Sequence, residues 1–145
     1  MAQFGFHTTS DQAAEALNAS IRNKTSKFQT KFPGSLGADT ARALVAHQPA
    51  QLILASQSEK KICDVIASLD IPSETVVRAL CLDLSSLEAV RVAAAQVSEW
   101  VASIDVLICT AGIMATSTYQ TSMDGFELQF AVNRLGHFLF TNLLI

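Results

Sequence analysis

The sequence is poor in the residues that crosslink or break a chain: among 145 residues there are three cysteines, three prolines and six glycines. Cys63, Cys81 and Cys109 are odd in number and far apart, with no C-x-x-C, which argues against a disulfide framework or a thiolate metal site. No metal is expected. Positive charge is also scarce, with ten Lys and Arg against thirteen Asp and Glu, a net charge of −3 and no basic cluster. Such a chain lacks the electrostatic footprint of phosphate-backbone binding, so nucleic acid is not an expected partner. The opening MAQFGFHTTSDQ has no early Lys or Arg and no continuous apolar stretch, unlike a secretory signal. The longest apolar tract near the end, FLFTNLLI, is far below the ~20 residues of a membrane helix. These absences predict a reducing, cytoplasmic setting without a membrane partner.

What is abundant is apolar surface. Half of the residues are hydrophobic, enough at this length for one domain with a real core. Short apolar runs alternate with helical periods. HTTSDQAAEALNASIR reads as a first helix, capped by Thr9 or Ser10, with Gln12 three residues after Thr9 as in a capping box. After GSLG, Ala41, Leu44 and Val45 share one face of a helix. QLILAS (51–56) reads as a strand apolar on both faces, as parallel sheets favour. Ser58 can cap a helix carrying Ile62, Val65, Ile66 and Leu69, with Pro72 in the loop beyond. TVVRALCLDL (75–84) is a further strand, and SSLE (85–88) is a capping box before the stripe Leu87, Val90, Ala94, Val97 and Val101. IDVLIC (104–109) is a strand closed by TAGIM, and a helix is expected from about Asp124 to the end. Strands alternating with helices predict an α/β domain with a parallel sheet.

Such a sheet binds ligands beyond the carboxyl ends of its strands, and four places qualify. Gly34, Ser35, Leu36 and Gly37 form a small-residue turn before a helix, suited to a pyrophosphate against free helix amides, or else an ordinary connection. Gln57 follows one strand where a ribose or 2′-phosphate contact would be made, or lies in a solvated turn. Asp83, with Leu84, ends another, where the carboxylate could take an adenine amino group or serve as a helix cap. Ala111 and Gly112 would let a cofactor lie against a strand end, or make a tight turn. By contrast, SKFQTKF (26–32), just before PGSLG, does not look like a buried strand.

The blocks PGSLGADTARAL, LILASQS, LCLDLSS, IDVLICTAGIM and DGFELQFAVNRLGHFLFTNLL resemble, in order and spacing, the short-chain dehydrogenase/reductase family in its retinol-dehydrogenase-like, fungal-type branch. FGFHTTSDQAAEAL resembles that branch's N-terminal extension. The resemblance implies a helical extension over residues 1–22. Over residues 23–145 it implies a partial NAD(P)-binding domain, a Rossmann-type doubly wound parallel sheet cut after its fourth strand and following helix. It also implies NADP or NAD as cofactor and hydride transfer between an alcohol and a carbonyl, and leaves a homo-oligomer open, since the helical interface usual in the family is cut. Gly34, Leu36 and Gly37 match the later part of the glycine-rich loop, and Asp83 the acid beside adenine. Ala111 and Gly112 match the second half of an Asn-Asn-Ala-Gly element. Asn133 matches the asparagine that holds a water in the proton relay, where the plain reading is an intrahelical pair with His137.

The departures from the family's pattern are large. With NKT (23–25) in register, Thr30 stands in place of the first loop glycine, and Ser26, Lys27, Phe28 and Gln29 in place of an apolar central strand. Unpaired polar groups there would be costly, so a core compromised at its centre is expected. Cys109 and Thr110 replace the Asn-Asn pair, and Gln57 replaces the basic residue that would favour NADP. The family's catalytic Ser and Tyr-x-x-x-Lys have no counterpart, since Tyr119 is followed at the fourth position by Met123. Without a phenol and a neighbouring cation to lower its pKa, these 145 residues are expected to be inactive alone and to hold the dinucleotide weakly. The second reading is a non-catalytic fragment or pseudoenzyme, acting through protein contacts or not at all.

Overall fold

A computed structural model describes residues 4–29 and 35–145, with the side chains of 26–29 left undescribed. In chain order the elements are α1 (Ser10–Ala16), α2 (Asn18–Ile21), β1 (Thr25–Gln29), α3 (Leu36–Val45), β2 (Gln51–Ser56) and α4 (Glu59–Ala67). They continue with β3 (Val76–Cys81), α5 (Leu87–Trp100), β4 (Val106–Ile108) and α6 (Leu128–Phe130). A π-helical segment (Ala131–Gly136) then runs into α7 (His137–Leu144).

The apolar run at 51–56 does what its composition predicts. In β2 the alternation of side chains sends Leu52 and Leu54 to one face, with Ala41, Val45, Ile62 and Val65 of α3 and α4. Ile53 and Ala55 go to the other, with Val90, Ala94 and Val97 of α5 and Phe140 of α7. These four of the six β2 side chains are essentially solvent-free. Each large apolar side chain buried this way contributes about 1.5–3 kcal/mol, and Leu80 of β3 with Leu82 and Leu84 beyond it joins the second of these clusters.

The four strands are parallel in the order β3-β2-β1-β4, which is that of the first four strands of a Rossmann-type doubly wound sheet. Residues 25–29, which do not look like a strand in isolation, form the second inner strand. Lys27 pairs with Ile53 on one side and Leu107 on the other. The cause is tertiary: β2 pairs along the whole of β1 and β4 along residues 26–28, and the Asp105 carboxylate accepts from the Thr25 amide at 2.8 Å and from Lys24 Nζ at 3.0 Å. The expected disturbance by the side chains of 26–29, and the replacement at Thr30, lie outside what the structure describes.

Other boundaries shift for identifiable reasons. The Thr9–Gln12 capping box is present, but the first helix breaks at Leu17 into α1 and α2. The strand expected over 75–84 ends at Cys81, and that over 104–109 narrows to 106–108. Ser86, not Ser85, caps α5 by accepting from the Ala89 amide, because Ser85 is turned back onto Asp83. The last helix begins at Leu128 instead of Asp124, whose carboxylate accepts from the Leu87 amide and so caps α5 from 37 residues away.

Candidate functional site

A cleft of about 320 Å³ opens where the chain leaves β2, β3 and β4. Of the residues singled out from sequence, it brings together Gln57, Asp83, Leu84, Ala111 and Gly112. Ser35 caps α3 by accepting from the Ala38 amide, Leu36 is exposed and Gly37 buried in the first turn. None of these three lines the cleft, and Gly34 lies outside the described residues. Lys61, Ser85, Ile113 and Val132 line it too and were not singled out. Lys61 was the accessible one, three residues after the Ser58 cap.

Asp83 is the polar centre of the cleft. Its Oδ1 accepts from the Ser85 amide at 2.8 Å and hydroxyl at 2.6 Å, and its Oδ2 accepts from Gln57 Nε2 at 3.0 Å. Partial burial pushes the carboxyl up, but the two bonds from Ser85 and the one from Gln57 outweigh it and hold the group below the ordinary carboxylate range. A carboxylate oxygen accepts more than one donor, so the group can still take a bond from a ligand. Beside the cap of α3, Asp39 is likewise lowered, first by the Ser10 hydroxyl at 2.6 Å and then by Arg42.

Asn133 and His137 do not pair with each other; both turn to the loop after β4. Ile113 N–H donates to Asn133 Oδ1 at 2.8 Å, and Asn133 Nδ2 donates to the Ile113 carbonyl at 2.7 Å. A Cβ on Gly112 would stand 3.2 Å from the same Oδ1, so a small residue suits this close approach. His137 Nε2 lies 2.8 Å from the Ala111 carbonyl, an acceptor, which assigns the ring proton to Nε2. Two residues beyond Ile113, Ala115 adopts φ +57°, a left-handed conformation uncommon for alanine.

Among the described residues there is no group of three or more His, Cys, Asp or Glu side chains placed to hold a metal, and no helix long and apolar enough to cross a membrane.

Residues 33–145 match the family model for short chain dehydrogenase. Human retinol dehydrogenase 13 is 44% identical over 113 residues, 76% of this chain and 33% of that protein. The chloroplastic short-chain dehydrogenase TIC 32 A of Brassica napus is 32% identical over 143 residues, 98% of this chain and 43% of that protein. Among solved structures, a short chain dehydrogenase from Burkholderia cenocepacia in complex with NADP superposes with a TM-score of 0.66 at 20% identity, covering 85% of this chain and 50% of that one. The chain thus matches between a third and somewhat under half of the length of these two curated relatives.

Proposed function

This chain belongs to the short-chain dehydrogenase family, and from that premise we propose that it supplies the adenosine side of a nicotinamide-dinucleotide site in an oxidoreductase acting on alcohols or carbonyls. The observation that carries the reading is the convergence of Gln57, Asp83, Ala111 and Gly112 from three strand ends on one cleft. A cleft of about 320 Å³ suits a nucleoside better than a whole dinucleotide. NADP, seen in the Burkholderia protein, and NAD are the two candidates.

The residues present fit such a group. Asp83 offers residual acceptor capacity for an adenine amino group, and Gln57 stands where the ribose would be read. Ala111 and Gly112 give backbone access, which Asn133 secures by holding Ile113. Ser35, Leu36 and Gly37 open α3, whose first-turn amides are the proposed pyrophosphate contact, although none of the three lines the cleft itself. The nicotinamide ring would supply the hydride. In the family's pattern proton transfer at substrate falls to a Tyr-x-x-x-Lys, which residues 1–145 do not contain, so on this reading they alone should not turn over substrate. The helical extension proposed for residues 1–22, before the domain at 23–145, is supported by α1 and α2, where Ala14 and Ile21 pack on Ala43 of α3.

Titrating the purified 145-residue chain with NADPH, reading nucleotide fluorescence, tests this directly. Saturable binding in the micromolar range supports the reading; silence up to millimolar nucleotide overturns it.

A further inference from the structure

We propose that Gly136 and His137 are positioning residues: from one helical turn they reference both walls of the cleft to each other and so set its width. The inference rests on the reading of that cleft as a nucleotide site.

One wall is the segment after β3, represented by Leu84; the other is the segment after β4, represented by Ala111. Each touches the same turn of chain. A Cβ on residue 136 would lie 2.5 Å from the Leu84 carbonyl oxygen and 2.9 Å from Leu84 Cβ, a separation no side chain permits. Gly136 therefore lets the helix rest on the backbone of the first wall. Glycine inside a helix costs about 1 kcal/mol relative to alanine, so its presence here is explained by that approach and not by helix formation. The next residue, His137, donates from Nε2 to the Ala111 carbonyl of the second wall. Its Nδ1 is buried with no partner among the described residues, so the ring has one polar engagement, and it is with the wall.

The turn itself is held on both sides. Asn133, one turn earlier, grips Ile113 by two bonds, and Phe140, one turn later, is fully buried against α5. The intervening segment 131–136 is π-helical, a wider winding that recurs at functional sites. A nucleotide lying between Leu84 and Ala111 would meet a gap defined by adjacent residues of one element.

The test uses the full chain and two independent readouts. His137→Phe keeps the ring volume and removes the donor; NADPH affinity should fall about tenfold, as expected for an orphaned backbone acceptor. His137→Gln restores an N–H donor and should recover affinity to within about threefold of wild type. A folded His137→Phe with unchanged affinity, or a Gln variant no better than Phe, overturns the proposal. Independently of ligand, nitrogen-15 spectra should show the His137 proton on Nε2, and Gly136→Ala should displace the amide signals of both Leu84 and Ile113. A proton on Nδ1, or a Gly136→Ala response confined to Leu84, also overturns it. If the wild type binds no NADPH, the nucleotide reading fails, while the spectra still decide whether the turn couples the two walls.

Discussion

Asn133 reads the backbone of Ile113 from both sides, accepting from its amide at 2.8 Å and donating to its carbonyl at 2.7 Å, across 20 residues of sequence. This is the same exchange of bonds that two paired strand residues make, performed here by a side-chain amide. Asn133→Leu would leave both Ile113 groups without that partner. Because both bonds are exposed and water can replace them in part, unfolding in urea should show a loss of about 0.5–1.5 kcal/mol, with faster hydrogen exchange at the Ile113 amide. Asn133→Asp keeps the acceptor and loses the donor, so its defect should lessen at acid pH, where a protonated carboxyl donates again.

The start of α5 offers a second case. Ser86 accepts from the Ala89 amide at 3.3 Å, and Asp124 accepts from the Leu87 amide at 2.9 Å. Ser86→Ala and Asp124→Ala should each lower stability by about 1 kcal/mol. Because both serve the first turn of one helix, the double variant should depart from the sum of the single losses by about 0.5 kcal/mol or more, which a double-mutant cycle by urea unfolding can check.

Asp83 makes a prediction about pH. Its folded pKa lies below the ordinary carboxylate value, because the Ser85 and Gln57 bonds outweigh the upward push of burial. A depressed folded value means the contribution is complete above the unfolded pKa of about 3.9 and is lost as pH falls through the lower folded value. Asp83→Asn should therefore flatten the stability profile below about pH 4, measured by urea midpoints across that range. A parallel profile for wild type and variant would mean that the carboxylate is not preferentially ionised in the fold.

Gln57 bears on cofactor choice. It is exposed, uncharged and tied to Asp83 Oδ2 at 3.0 Å. Gln57→Arg places a guanidinium where a 2′-phosphate would be read and can keep a bond to Asp83. The ratio of NADPH to NADH affinity should rise about tenfold or more, as charge-assisted bonds allow. Competitive fluorescence titration of the two nucleotides measures it.

Much of this architecture was legible residue by residue. QLILAS announced an inner strand by being apolar on both faces, and the Thr9–Gln12 box and the Ser58 cap lie where their spacing put them. The convergence of Gln57, Asp83, Ala111 and Gly112 followed from one rule about strand ends. Asp124 was misread as a helix start because an acid before a helical period looks the same whichever helix it caps. The contact between Gly136 and Leu84 had no signal in sequence, since a glycine in a helix does not reveal what backbone it lies against.

The amino-acid sequence by itself determined the alternation of strands and helices and which faces are buried, because periods of two and 3.6 residues are local properties that apolar side chains write directly. Only the tertiary structure decided that residues 25–29 are an inner strand, that Asn133 and His137 serve a loop instead of each other, and that one turn touches both walls of the cleft. Those outcomes depend on backbone hydrogen bonds and close approaches supplied by distant segments, and such partners exist only once the sheet has assembled.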